Sequence, residues 1–477
     1  MYDITVIGAG VVGSAIAREL SRYRLRILVL EKAPDLCFGT SGRNSGVLHA
    51  GFNNKPGSLM ARFCVEGNRE FDRVARELDV PLKRTGKLVV GFDDDDRAAL
   101  ERMIAQGQAN GTPGLSLVGK DVIRSLAPAV SGEFAMLSES TAVLSPFEYT
   151  IGLAENAHAN GVRYLFNADV ERIEEENDAL TLYMTSGIQV RTRFAVNAAG
   201  HGAARLARMT GLPDIETYPC RGEYYVLDRR VGEILPLPAY PVPNPRSGGL
   251  GIHLTPTVDG NVLIGPSNEY IGEAEDHATT APVLDDLLRD GRRLLPGLDR
   301  SDVIRTFAGV RPKLTAKGGY HDFVIERSHP RVVNLVGIES PGLTSALPIA
   351  RYVRDMLAVV CDFTPKADFD PVRRGFPRFA ALSDEEKAAL IAGDPDFATV
   401  ICRCETVTLA EVRDAIRRPL GARTVAGIKN RCRASMGRCQ GGYCSGRLTA
   451  LLAQELGIPR EAVRQHRMGS WVVDRRK

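Results

Sequence analysis

Short apolar runs separated by glycine-containing and polar turns recur through most of the chain, and they predict the strands of an α/β protein. The run Tyr2–Ile7 is followed by GAGVVG, a helical pattern over residues 15–23 and a second apolar run over residues 26–30 that ends at Glu31. This succession predicts a βαβ unit of about 30 residues with buried parallel strands. Further strands are predicted over residues 87–92, 162–166, 194–197, 224–227, Val262–Ile264 and Val332–Val336.

The segment Gly8-Ala9-Gly10-Val11-Val12-Gly13 fits the dinucleotide-binding pattern G-x-G-x-x-G, and it lies between a predicted strand and a predicted helix. In that pattern the first glycine makes the tight turn, the second admits the pyrophosphate and the third lets helix and strand pack closely. Glu31, at the end of the next strand, is placed to accept hydrogen bonds from ribose hydroxyls, and we expect Lys32 to contact the cofactor beside it. The motif alone fits either FAD or NAD.

Two later segments favour FAD. Val196–Gly200 is a strand that ends in small residues and suits a close backbone approach. The turn Ser340-Pro341-Gly342-Leu343-Thr344 precedes a helix start whose free N–H groups suit the electron-rich edge of a flavin. We expect contacts with FAD from Ala199, Gly200, Gly342, Leu343 and Thr344.

The first ~360 residues resemble the D-amino-acid-oxidase superfamily of FAD enzymes, and within it the glycerol-3-phosphate dehydrogenase and L-2-hydroxyglutarate dehydrogenase branch. The resemblance lies in SGRNSGVLHAG (41–51), RGEYY (221–225), GIHLTP (251–256), FAGVRP (307–312) and SPGLT (340–344). It implies an FAD-binding Rossmann-type domain interleaved with a mixed β-sheet substrate domain. It also implies further contacts with FAD from Ser41, Asn44, Ser45, Gly46, Val170 and Gly309. We expect FAD-binding parts at about 1–85, 140–220 and 305–362, and a substrate sheet at about 86–139 and 221–304.

Enzymes of this superfamily move a hydride from a carbon bearing OH or NH to the flavin, which requires a base and an anchor for an anionic group. His49 and His253 are the candidate bases, and the sequence leaves open which of them acts. Arg311 is the candidate anchor, because a guanidinium holds phosphate or carboxylate through paired donors and the resembling phosphate-ester enzymes place an arginine there. Arg221 and Tyr224 are candidate assistants.

Four of the nine cysteines lie near the C-terminal end, in the spacing Cys402-x-Cys404 and Cys439-x4-Cys444. Two close pairs can supply four thiolates to one metal centre, and by chemistry alone zinc also fits. The segments CRCETVT and MGRCQGGYC resemble those of the bacterioferritin-associated-ferredoxin domain that is attached to anaerobic glycerol-3-phosphate dehydrogenases. This resemblance implies a [2Fe–2S] cluster on these four cysteines. We interpret Cys432 as a non-ligand, although its neighbours Arg431 and Arg433 would favour a depressed thiol pKa.

The remaining composition adds a charge asymmetry. Residues 399–477 contain 16 Lys and Arg against 6 Asp and Glu, a net charge of +10, whereas the whole chain carries +3. A basic module suits an acidic electron carrier or an anionic membrane surface, and it has no aromatic-studded stripe that would favour nucleic acid. No apolar stretch is long enough to span a bilayer and no signal peptide is evident, so we expect a cytoplasmic protein, peripheral at most, that forms homo- or hetero-oligomers with a partner subunit.

These observations predict an FAD and [2Fe–2S] dehydrogenase with three segments: an oxidoreductase module at 1–362, a connector at 363–398 and a small helical ferredoxin-like module at 399–477. The first expectation for the reaction is sn-glycerol 3-phosphate to dihydroxyacetone phosphate, with electrons leaving through the cluster to a partner. The alternatives are L-2-hydroxyglutarate oxidation, amino-acid or amine oxidation, and a C-terminal module that serves as a zinc or redox-sensing binding domain.

Overall fold

The computed structural model describes residues 1–243, 251–316, 318–375 and 377–473. Part of the predicted substrate segment (244–250) and the last four residues of the predicted C-terminal module (474–477) therefore lie outside the described residues. The strands are β1 Tyr2–Ile7, β2 Ile27–Glu31, β3 Val47–Leu48, β4 Leu82–Lys83, β5 Lys87–Gly91, β6 Leu115–Gly119, β7 Phe134–Ser138, β8 Ala142–Leu144, β9 Arg163–Phe166, β10 Val170–Glu176, β11 Ala179–Met184, β12 Gln189–Asn197, β13 Tyr218–Leu227, β14 Ala239–Pro241, β15 Leu254–Pro256, β16 Val262–Ile264, β17 Glu269–Tyr270, β18 Val303–Lys313, β19 Val324–His329, β20 Val332–Val336, β21 Val400–Cys402 and β22 Val407–Thr408.

The helices begin where the sequence supplies a cap. The helix α1 starts directly after Gly10, and Asp93 caps α3 through the amide of Asp96. The sequence pattern placed the first helix over 15–23, but it begins four residues earlier because the glycine turn already directs the chain into the helix. The helices are α1 Val11–Leu20, α2 Leu59–Leu78, α3 Asp94–Ala109, α4 Lys120–Leu126, α5 Pro146–Ala159, α6 Ala203–Arg208, α7 Arg229–Gly232, α8 Ala281–Leu294, α9 Gly342–Ala358, α10 Asp384–Gly393, α11 Leu409–Arg417, α12 Val425–Cys432 and α13 Ser445–Leu456.

The first sheet has the order β10-β11-β12-β1-β2-β9, with β20 pairing the later part of β12 and β19 beyond it. The strands β12, β1, β2 and β9 are parallel, and so is β20 to β12. Helices α1, α5 and α9 pack on this sheet around a core that includes Ile4, Val29 and Ile349. The parallel strands bring their carboxyl ends to one edge, where an open α/β sheet binds its ligands.

The second sheet is mixed, with the order β17-β13-β16-β15-β14-β5-β7-β6 and β18 on the other side of β13. We expected the residues from 305 onward to lie in the FAD-binding part, but β18 pairs with β13 from Tyr218↔Lys313 to Leu227↔Val303. The long antiparallel ladder explains the difference, since it carries Gly309 and Arg311 on the substrate sheet. Both residues nevertheless line the cavity that is described below.

The C-terminal module is a β21–β22 hairpin with helices α11, α12 and α13 around its own apolar core. Thr408 and Glu411 form a capping box that starts α11, which spans the same residues as the sequence pattern predicted. The preceding connector contacts both modules: Arg373 pairs with Glu155 at 2.7 Å, and the amide of Phe379 donates to Glu411 at 3.2 Å. Within the described residues, none of the helices combines the length and the apolarity that crossing a bilayer requires.

Candidate active site

A cavity of about 530 Å³ lies where the carboxyl edge of the first sheet meets the substrate sheet. Nearly all of the predicted cofactor and substrate residues line it. They are Gly8, Gly10, Gly13, Glu31, Lys32, Ser41, Asn44, Ser45, His49, Val170, Ala199, Gly200, His253, Gly309, Arg311, Gly342 and Leu343. Gly46 and Thr344 lie behind the wall instead, where Gly46 takes a positive φ and Thr344 is fully buried.

The glycines of the first turn form a cradle that side chains would fill. A Cβ on Gly13 would come within 1.9 Å of the Gly8 carbonyl oxygen, and a Cβ on Gly8 would come within 2.5 Å of the Ala198 carbonyl oxygen. Gly8 also has a φ of +105°, which is costly for any other residue. The turn therefore leads directly into the helix N-terminus, as binding of a pyrophosphate requires.

Glu31 is held at the end of β2 by two backbone amides. Its Oε2 accepts from Ala9 at 2.7 Å and its Oε1 accepts from Ala33 at 2.8 Å. Burial raises the pKa of Glu31, and these hydrogen bonds oppose that shift. The carboxylate is thus oriented beside the glycine turn, where ribose hydroxyls of a dinucleotide would lie.

The SPGLT turn positions the loop that carries His49. Thr344 Oγ1 accepts a hydrogen bond from the backbone N–H of His49 at 2.9 Å, and Ser340 Oγ lies 3.5 Å from His49 Nε2. Thr344 therefore acts on the site through the loop, because it does not line the cavity.

His49 lies beside two residues that sequence reasoning missed. Burial, followed by the nearby Lys87 cation, lowers the pKa of His49 to about 3. The Lys87 ammonium lies 4.4 Å from the Phe52 ring centre and 4.3 Å from that of Tyr240, and burial lowers its pKa to about 7. Tyr240 in turn stacks on His253 at 3.4 Å between ring centres. Lys87 begins a predicted strand, and nothing in the sequence around it indicates that it lies near His49.

Arg311 reaches the cavity with an uncompensated charge. Its Nη2 donates to Ser267 O at 2.9 Å and to Asn268 Oδ1 at 3.2 Å, and no carboxylate in the described part of the chain pairs with it. Arg221, the other candidate, is nearly fully buried and pairs with three acids: Glu223, Glu269 and Asp276. Because these acids already meet its charge and Arg221 does not line the cavity, Arg311 is the better placed of the two arginines to hold a substrate anion.

The four C-terminal cysteines form two contacting pairs, since the Cys404 and Cys439 thiols share a hydrogen bond and so do Cys402 and Cys444. Cys402 and Cys444 are buried, whereas Cys404 and Cys439 are exposed. Nowhere in the described ranges do three His, Cys, Asp or Glu side chains converge as the ligands of a single ion would. The two pairs also interact electrostatically with each other, so the four thiols lie close enough to serve one centre, and a centre with two irons would take two sulfurs on each iron.

The loop between the last two cysteines supplies backbone donors to sulfur. The amide of Tyr443, with smaller contributions from Cys404, Gly441 and Gly442, lowers the pKa of Cys439. Cys432 lies apart from this arrangement and hydrogen-bonds to Ile428 O at 3.4 Å. Burial raises the pKa of Cys432 to about 12, and the smaller opposing effect of Arg431 does not reverse this shift.

The cysteine loop also contacts the strand that lines the cavity. Arg305 on β18 donates to Gln440 Oε1 at 3.0 Å, and Gln440 directly follows Cys439. Gly309, four residues further along the same strand, lies on the cavity wall. Four residues of strand span about 13 Å, so the cysteine loop lies close to the cavity.

Comparison with known proteins shows which families share this arrangement. The family described as FAD dependent oxidoreductase matches residues 3–356, and the BFD-like [2Fe-2S] binding domain matches residues 400–454. A glycerol 3-phosphate dehydrogenase from Caloramator mitchellensis is 39% identical, covering 99% of this chain and 98% of that protein. A mitochondrial L-2-hydroxyglutarate dehydrogenase from Arabidopsis thaliana is 32% identical over 74% of this chain and 82% of that protein.

Among solved structures, the FAD-bound L-alpha-glycerophosphate oxidase from Mycoplasma pneumoniae is 28% identical, with a TM-score of 0.73, over 79% of this chain and 99% of that chain. These matches confirm the predicted fold class and the two predicted cofactors, FAD and a [2Fe–2S] cluster, so zinc is set aside as the metal of the C-terminal module. The chain belongs to the FAD-dependent oxidoreductase family and carries a BFD-like [2Fe–2S] binding domain at its C-terminal end.

Proposed function

We propose that this enzyme is a dehydrogenase of a small anionic 2-hydroxy compound, with sn-glycerol 3-phosphate as the first candidate and dihydroxyacetone phosphate as its product. Electrons leave through the [2Fe–2S] cluster to an acceptor protein. The observation that carries the substrate class is Arg311, a cavity-lining guanidinium whose hydrogen-bond acceptors among the described residues are all neutral. An anionic substrate completes its hydrogen bonding and supplies the missing negative charge.

The cofactor sites follow from the residues that surround the cavity and the cysteine loop. Gly8, Gly10 and Gly13 with Glu31 would hold the dinucleotide part of FAD, and the two thiol pairs would hold the cluster. FAD held by these residues would supply a hydride acceptor for the carbinol carbon, and a cluster held by the thiol pairs would supply one-electron transfer.

The chain supplies the base. His49 is uncharged at neutral pH because its pKa is lowered to about 3, so its imidazole is free to accept the hydroxyl proton. So low a pKa makes a weak base until an anion arrives, and the charge of the bound substrate raises it toward the working pH. His253, stacked on Tyr240, is the second candidate, and isosteric His49→Asn and His253→Asn variants separate the two roles.

The exposed side of the cysteine loop suits an acidic electron acceptor. Cys404 and Cys439 are exposed there, and the guanidiniums of Arg403 and Arg447 lie 4.4 and 4.9 Å from the centre of the Tyr443 ring. Charge complementarity of this kind accelerates encounter with a negatively charged partner and weakens with added salt. The same basic face would also meet an anionic membrane surface, and a partner subunit bound there makes a hetero-oligomer.

L-2-Hydroxyglutarate is the second candidate substrate, supported by the L-2-hydroxyglutarate dehydrogenases among the relatives. Its two carboxylates would meet Arg311 in the same way as a phosphate does. Amino-acid oxidation is a third outcome, because glycine oxidase shares the fold at 21% identity.

Anaerobic mixing of the purified protein with each compound, followed by the loss of flavin absorbance, tests the proposal. Fast bleaching by sn-glycerol 3-phosphate alone supports the first candidate, and bleaching by L-2-hydroxyglutarate alone supports the second. Bleaching only by amino acids overturns the assignment to hydroxy compounds. An Arg311→Lys variant should keep the flavin yet require a much higher substrate concentration, because a single ammonium replaces a two-pronged donor.

A further inference from the structure

The C-terminal arm, residues 464–473, extends from the iron–sulfur module back to the flavin cavity. Arg467 of this arm lines the cavity together with Glu275 and Lys32. Glu275 forms an ion pair with Arg467, and its Oε1 accepts from Lys32 Nζ at 2.7 Å. Two cations thus share one acid on the same side of the cavity.

The arm rests on the loop that follows Glu31. His466 stacks on Phe38 with 4.0 Å between ring centres and 14° between planes. Arg467 Nη2 also donates to Phe38 O at 3.4 Å. Because residues 32–38 continue directly from the ribose-facing Glu31, these contacts set where that loop lies relative to the cavity.

The same loop is held from its other side by the iron–sulfur module. Arg431 forms a bidentate pair with Asp35 at 2.6 and 2.9 Å, and both side chains are buried. Ala33, Phe38 and Ala426 form a small apolar cluster across the same boundary. The loop is therefore enclosed between the flavin cavity and the C-terminal module.

We propose that the C-terminal arm is part of the FAD site and that Arg467 is an FAD-binding residue. Arg467 and Lys32 line the cavity at the Glu31 end, beside the glycine turn, where their guanidinium and ammonium groups can donate hydrogen bonds to the anionic phosphates of the cofactor. Lys32 directly follows Glu31, and Arg467 is joined to Lys32 through Glu275, which places the three side chains at this same end. By linkage, FAD binding and docking of the iron–sulfur module stabilise each other.

The test measures FAD retention in the full-length protein rather than turnover. Parent, Arg467→Ala, Arg467→Lys and the exposed control Arg460→Ala are diluted in steps, and released FAD is followed by its fluorescence. We expect Arg467→Ala to raise the FAD dissociation constant on the order of tenfold or more, as loss of a charged hydrogen-bond donor does. Arg467→Lys should recover part of the loss, and Arg460→Ala should match the parent.

Iron and labile sulfide per chain are measured on the same samples and should stay at the parental level. An unchanged dissociation constant in Arg467→Ala overturns the proposal. So does an equal loss in Arg460→Ala, or a loss of FAD that only accompanies loss of iron, because either result would place the effect in the fold rather than at the cavity.

Discussion

The buried ion pair between Asp35 and Arg431 offers a sharp test of how the two modules are joined. Arg431 is 0% exposed and Asp35 is 2% exposed, with N–O distances of 2.6 and 2.9 Å. Arg431 also donates to Leu420 O at 2.6 Å and to Gly427 O at 2.9 Å. Replacing Arg431 by methionine keeps most of the volume but removes every one of these donors.

The expected cost follows from the charge that remains. Asp35 would stay buried, and among the residues that the structure describes its remaining hydrogen-bond donor would be the amide of Leu36, at 2.7 Å. Removing one member of a buried pair costs about 3–5 kcal/mol, most of it from the uncompensated charge. Arg431→Met should therefore lower the free energy of unfolding by about that amount. The double variant Asp35→Leu, Arg431→Met should recover part of the loss, because no buried charge is left alone.

Urea unfolding under anaerobic conditions, followed by cluster absorbance and by flavin fluorescence, measures this difference. Arg460→Met, a change at an exposed arginine of the same module, serves as the control and should stay within about 0.5 kcal/mol of the parent. A free energy of unfolding of Arg431→Met within about 1 kcal/mol of the parent value would refute the reasoning. It would mean that the charge of Asp35 is solvated despite its burial.

Three further predictions concern the cofactors and the cavity. Gly13→Ala should abolish FAD binding, because its Cβ would lie 1.9 Å from Gly8 O, whereas Gly119→Ala, outside the cavity and with nothing within 4 Å of its Cβ, should retain FAD; flavin per chain decides this. Cys402→Ser should remove turnover with a one-electron acceptor protein but leave bleaching of the flavin by substrate intact, and turnover that survives would contradict the electron path. Burial lowers the pKa of Lys87 to about 7 in the folded protein, so above pH 7 the unfolded chain binds the extra proton. Unfolding free energy should thus rise between about pH 7 and 10 by on the order of 4 kcal/mol, and Lys87→Met should lose this rise; a rise of the same size in the variant would assign it to other groups.

The parts of the molecule that the sequence predicted well are those in which a few adjacent residues determine the geometry. The glycine turn, Glu31 and the strand and helix around them form one continuous unit, so the pattern of glycine and apolar positions is enough. The cysteine pairs are similar, since each pair lies within six residues of chain. The helix Leu409–Arg417 follows from its own cap and periodicity.

The parts that escaped prediction depend on contacts between distant segments. Lys87 reaches the site only because β5 pairs with β14, which carries Tyr240. Arg467 reaches the cavity because the C-terminal module docks on the loop after Glu31, 436 residues earlier by sequence number. The neutralisation of Arg221 by three acids likewise depends on strand pairing and a following loop. A single sequence shows which side chains exist but not which of them meet.

The central claim is that substrate electrons pass from the flavin to the cluster within this one chain. The most direct measurement is rapid freezing after anaerobic mixing with sn-glycerol 3-phosphate, with flavin absorbance and the electron paramagnetic resonance of the reduced cluster followed together. We predict that the flavin bleaches and that the signal of a reduced [2Fe–2S] cluster then grows in the same protein. In the Cys402→Ser variant the flavin should bleach without that signal. Bleaching in the parent protein with no cluster signal would contradict it.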